Sequence, residues 1–212
     1  MELTLPERLY LLSYDLDKDR LDSVSSLYRD QLLRAAALAQ LTIGGVLGVR
    51  KRKAVRAGGP APRDPFLARV LDDIPAHKPR SWTDVLLCGP GTAEKTVRDR
   101  LADAGAITVE KSRLLGLLPV RKVTPGDPDQ VRGLRERVRH TVTSGLDPAS
   151  APLEDTAVAA IAGEGDVESV FTWREKRAHK REVTALKSHF DATFPGLRDA
   201  VLTAVVHSRS TG

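Results

Sequence analysis

Cysteine is almost missing from this chain. The single residue, Cys88, excludes an intramolecular disulfide. No Cys or His pair stands at metal-ligand spacing, so neither a metal nor a cofactor is expected, and a reducing, cytoplasmic setting is. Aromatics make up only 4% of the residues, which leaves aliphatic side chains and alanine-rich helices to supply the core. A long uninterrupted apolar run is missing too. The nearest approach, residues 31–49, contains Arg34 and Gln40 and is broken by Gly44-Gly45; it reads as a buried helix followed by a turn, not a membrane span. The N-terminus carries no signal-peptide pattern. Catalytic signatures are equally scarce. The five histidines are scattered, and "GPG" at 89–91 lacks the lysine of a phosphate-binding loop. Cys88 reads as a lone buried thiol, and the carboxylates, mainly on solvent-facing positions, as ion-pair partners rather than an acid/base pair. No enzyme activity is expected.

What remains is a 212-residue chain, 41% hydrophobic and 29% charged, with a net charge of +5. That length suits a single domain spanning 1–212. The basic balance points to polyanions or anionic membrane surfaces as partners. Thr4 and Glu7 form a capping box with Pro6 in the first turn, which predicts a helix at the start. A long helix is predicted over 26–42, and "GGVLGVRKRKAVRAGG" predicts a strand pair. Short helices follow at 65–73 and near Ser81. Thr92 is the expected cap of a helix that Gly105 stops. Strands are expected at 106–111 and 118–123, a helix at 128–143, and helices throughout the rest from Pro152. The fold class is therefore mostly α: a single globular helical domain with peripheral β-hairpins, one of them hydrophobic.

Three cations stand out. Arg34 lies in a helix that is otherwise apolar on nearly every face. An unpaired guanidinium buried there would cost several kcal/mol, so it must meet a carboxylate such as Asp30, reach the surface, or face an anion pocket. Lys95 and Arg98 are three apart near a helix N-terminus, where cations oppose the dipole and an anionic ligand would explain them; a solvated basic face is the plain alternative. Leu114, Leu115, Leu117 and Leu118 then surround Gly116, with a basic collar of Lys111, Arg113, Arg121 and Lys122. The helix–strand–turn–strand order of 92–123 resembles a winged helix, a nucleic-acid binder. Four leucines suit a lipid surface or a protein partner better than phosphates, so nucleic acid is disfavoured.

Several stretches in shared order resemble the Golgi phosphoprotein 3 family: "LTLPERLYLLSYD", "LLRAAALAQLTIGGVL", "SWTDVLLCG", "EKTVRDRLADAGAITVEKSRLLGLLPV", "VESVFTWREKRAHKREVTAL" and "DAVLTAVVHS". The resemblance implies a mostly helical, non-catalytic peripheral membrane protein. Such a protein binds phosphatidylinositol 4-phosphate through a basic pocket while a hydrophobic hairpin enters the bilayer. It implies Arg34, Lys95 and Arg98 as the headgroup residues and the four leucines as the inserting tip. It also implies self-association and contact with cytoplasmic tails of membrane proteins. The expected location is the cytoplasmic face of a membrane, Golgi in a eukaryote or plasma membrane in a prokaryote. Two departures are visible. The family's pocket tryptophan falls on Ser25, with Tyr28 the nearest aromatic, and lysine stands at 95 where the family has arginine, losing the bidentate fork.

Overall fold

In the computed structural model, which describes residues 2–89, 91–114 and 118–211 (side chains of 111–120 and 211 excepted), the first helix is closed at its start as expected. Helix α1 (Leu5–Leu12) carries the capping box: Glu7 N–H donates to Thr4 Oγ1 at 3.4 Å, and Thr4 N–H to the Glu7 carboxylate at 2.8 Å. The polar stretch after it forms a small ribbon of β1 (Tyr14–Asp15) and β2 (Arg20–Leu21). A 3₁₀ turn at Ser25–Leu27 delays the long helix, so α2 runs Arg29–Ile43.

Helix α2 is the axis of the molecule. Every residue from Leu32 to Ala39 is buried, so no polar stripe is left for solvent, as befits a helix enclosed by others. Packed around it are α1, α3 (Pro65–Asp72), α4 (Trp82–Leu86), α5 (Ala93–Asp103), α7 (Leu153–Glu164) and α10 (Leu197–Thr211). Helix α6 (Pro128–Thr143) closes over α1 and α7, and α9 (Lys180–Thr193) over α6 and α7. Short α8 (Trp173–Ala178) joins α9 and buries none of its residues. One apolar core runs through the larger helices. The chain is a single compact, mostly helical domain, with three separate two-stranded antiparallel ribbons among the described residues.

The second ribbon, β3 (Leu47–Arg50) with β4 (Lys53–Arg56), is the strand pair expected from alternating cations and branched residues. The third pairs β5 (Ile107–Leu114) with β6 (Leu118–Pro125) and is longer than the 106–111 and 118–123 expected. Its base is fixed by buried Ile107 and Val123. Farther along, Glu110, Arg121 and Lys122 are exposed. Eight residues per strand reach about 25 Å, far more than those two anchors cover. Gly105, at φ +70°, ends α5 in the left-handed region. A Cβ on Gly126 would come within 2.8 Å of the Gly105 carbonyl oxygen, so the two glycines let the ribbon leave the helix closely.

Candidate functional site

Helix α5 carries two of the three singled-out cations, and long-range polar contacts fix its position. Contrary to expectation, the Thr92 side chain does not cap its start; the hydroxyl donates instead to the Gly89 carbonyl at 2.7 Å. The capping oxygen comes from α2: Asp30 Oδ1 accepts the Glu94 N–H at 2.7 Å. This is a carboxylate at a helix N-terminus, the favourable sign for the dipole, delivered by tertiary packing. One turn before its end, Arg100 donates to Glu7 Oε1 at 2.8 Å and pairs with Asp64, the N-cap of α3. Ala93, Val97 and Leu101 are buried beneath. The outer face is therefore rigidly aimed.

On that face Lys95 and Arg98 meet at one carboxylate. Lys95 Nζ lies 3.0 Å from Asp99 Oδ2, and Arg98 Nη2 lies 2.8 Å from Asp99 Oδ1. The Lys95 side chain is 67% exposed and Arg98 only 10%. Hydrogen bonds from Lys95, then Arg98, hold the Asp99 carboxyl below its ordinary pKa. The trio is thus two positive charges and one negative, spread over a small surface. A phosphate with two charges is a stronger acceptor for this pair than a lone carboxylate.

Arg34 does not join them through any described bond. It is 2% exposed, its Nε donates to the Val85 carbonyl at 2.7 Å, and its guanidinium pairs with Asp73 at the end of α3. An internal ion pair was one of the expected answers, but the partner is Asp73 rather than Asp30, which is spent on capping α5. Tyr28 is fully buried, with its hydroxyl accepting from Arg209 of α10 at 2.9 Å and the guanidinium 5.2 Å from the ring centre. It is a core residue tied to the far end of the chain. Ser25, at the tryptophan position, is buried beside Arg29.

Arg29 escaped the sequence reading. It is 3% exposed, pairs with Glu94 at 3.0 Å, and donates to the Asp22 carbonyl. Its signal was present: a cation in the first turn of α2, against the dipole. One other reading needs correcting: Cys88 is half-buried rather than buried, with its sulfur 3.1 Å from Arg80 Nη2. Glu7, Asp155 and Glu164 are exceptions to the mainly solvent-facing carboxylates, each buried in an ion pair. Of the basic collar, Arg121 is exposed, while Lys122 reaches Asp19 of the β1–β2 turn at 2.7 Å. Leu115 and Leu117 lie outside the described residues, as do the side chains of Leu114, Leu118, Lys111 and Arg113.

Cavities of about 670 and 500 Å³ lie elsewhere, against α1, α6 and the turn before α7. Among the described residues, no cluster of His, Cys, Asp and Glu is arranged to hold a metal ion. The family model of Golgi phosphoprotein 3 (GPP34) matches residues 5–205. The chain belongs to the Golgi phosphoprotein 3 family. The match takes in all the helices and ribbons above except the last residues of α10, so the resemblance read from scattered motifs holds across the fold. A comparison with curated proteins gives no significant match.

Proposed function

We propose that this member of the family is a non-catalytic peripheral membrane protein that binds an anionic phospholipid headgroup, phosphatidylinositol 4-phosphate or a similar one. Family membership over residues 5–205 carries this reading. The geometry supports it through Lys95 and Arg98, which share Asp99 on the outer face of α5 and release both cations to a phosphate that displaces it. Arg34 serves as the buried third cation, available when Asp73 lets it go. No helix among the described residues is long and apolar enough to cross a membrane.

The β5–β6 tip, with Leu114, Leu115, Leu117 and Leu118, is the proposed inserting element, and Lys111, Arg113, Arg121 and Lys122 its collar. Each fully buried leucine is worth about 1.5–3 kcal/mol, and each nearby cation about 1 kcal/mol on an anionic leaflet. Together they give reversible attachment to the cytoplasmic face of a membrane. Self-association through the same tip, and engagement of cytoplasmic tails, are compatible with it.

Co-sedimentation with liposomes tests the reading. Arg98→Glu is expected to lower binding to vesicles containing phosphatidylinositol 4-phosphate about tenfold or more, and Leu114→Asp to abolish it. Binding indifferent to anionic lipid and untouched by both substitutions would sink it. Salt-sensitive duplex binding without any lipid requirement would instead favour the winged-helix alternative.

A further inference from the structure

A strongly basic described surface away from α5 lies on α8 and the first turns of α9. Arg174, Arg177, Lys180 and Arg181 are all exposed, and among the described residues none of them has a carboxylate partner. Their neighbours are engaged: Lys176 pairs with Asp166, Glu175 with Arg139, and Lys187 lies 2.9 Å from Glu164. Glu182 is the one carboxylate of the segment without a described partner. At the start of α9 the local chemistry runs against folding, whereas α8 has its capping box and cations in its last turn. Lys180 and Arg181 occupy the first turn of α9, where cations oppose the helix dipole, and α8 buries nothing. A sequence that breaks local rules with no structural return points to use.

Beside these cations stands Trp173, the most exposed large apolar side chain among the described residues at 65%, with Arg177 5.3 Å from its ring centre. Val206, 63% exposed, lies with Trp173 on the rim of a cavity of about 430 Å³ that Val183 and Leu202 also line. Glu164 and Asp166 also line the cavity, each already paired with cations. A tryptophan beside apolar side chains and exposed cations matches the headgroup layer of a bilayer, where indoles settle and lysine and arginine meet lipid phosphates. One face of the indole is already covered by Arg177, which leaves less of it for stacking a nucleic-acid base.

We infer that the α8–α9 face is a second, separate contact for an anionic phospholipid membrane, with Trp173 as its interfacial anchor and Arg174, Arg177, Lys180 and Arg181 as its phosphate contacts. It extends the membrane reading to a surface distinct from α5 and the β5–β6 tip. A run of contacts connects the two: Arg139 of α6 holds Glu175, Arg135 one turn earlier donates to the Tyr14 carbonyl at 2.7 Å, and the adjoining β1–β2 turn holds Lys122 of β6.

The chain supplies its own reporter. It has two tryptophans, and Trp82 is buried with its indole N–H on the Pro195 carbonyl at 3.1 Å, so a change in emission on adding vesicles reports Trp173. The full chain is mixed with vesicles of phosphatidylcholine, with or without phosphatidylserine. A blue shift is expected only with phosphatidylserine, absent in Trp173→Phe. The triple variant Arg174→Glu, Lys180→Glu, Arg181→Glu is expected to lower partitioning about tenfold or more. Two of its changes place acids in the first turn of α9, where they favour the helix, so unfolding does not explain a loss. Leu117→Asp separates the surfaces: if it lowers partitioning but the residual bound protein still shifts, both contacts stand; if it changes nothing and the shift persists, only the hairpin reading falls. Vesicle binding without a Trp173 shift and unaffected by the triple variant overturns the inference, as does binding of duplex or single-stranded DNA in place of vesicles.

Discussion

Arg34 holds a full charge where water scarcely reaches, and its two partners decide what it does. Removing the side chain strands the Val85 carbonyl and leaves Asp73 without its cation. Arg34→Met is therefore expected to cost about 3–4 kcal/mol in urea unfolding, the range for breaking a buried pair from one side. Asp73→Asn separates structure from binding, because it frees the guanidinium without deleting it. If Arg34 meets a headgroup, this variant binds vesicles containing phosphatidylinositol 4-phosphate more tightly than the parent. Unchanged or weaker binding would assign Arg34 to the core alone. Arg34 stood out in the sequence because a cation in an apolar helix demands an explanation. Asp73, thirty-nine positions away, gave no such sign.

Among the elements, α8 depends on a single carboxylate. Glu175 completes its capping box with Thr172 and also receives Arg139 from α6. The Arg139 hydrogen bond outweighs the burial that would raise it, and its pKa is lowered to about 2 from an ordinary 4.5. The folded state thus holds this proton more weakly than the unfolded chain. The stabilisation is fully present above about pH 4.5, and is lost as the pH falls from there toward 2. The side chain is 32% exposed, so solvent screening reduces the expected contribution to about 1–2 kcal/mol. Glu175→Gln should flatten the acid limb of stability between those pH values while costing about that amount near neutrality, read by urea titration at a series of pH values. An unaltered acid limb would mean the pair carries no net stability. The sequence reading gave only helices from Pro152 onward; the capping box joins residues three apart, while the α6 clamp joins residues 36 apart.

At the level of the whole molecule, α2 is enclosed on every side and the ribbons sit around a helical core. The leucines of 114–118, proposed as an apolar tip, have two proposed uses, a bilayer or a second copy. Mass in solution distinguishes them. A dimer that Leu117→Asp converts to a monomer with unchanged helical content would make the tip a protein interface. A monomer in both forms leaves it to the membrane, which is the expected result. Proximity of Lys95 and Arg98 followed from their helical spacing, and the mostly helical class from the periodicity of nearly every segment. The engagement of Tyr28 by Arg209 did not, for it joins residues at opposite ends of the chain.

The sequence by itself determined which segments are helices, where several begin and end, and which cations needed an account, because caps, glycine stops and 3.6-residue periodicity act within a few residues. Only the tertiary structure decided how those charges are satisfied. Asp30, the nearest acid to Arg34 in sequence, turns to cap α5, Asp73 takes Arg34 instead, and Arg29 proves as buried as its neighbour. Each depends on which helices touch, and contact between distant helices is set by the packing of the whole core.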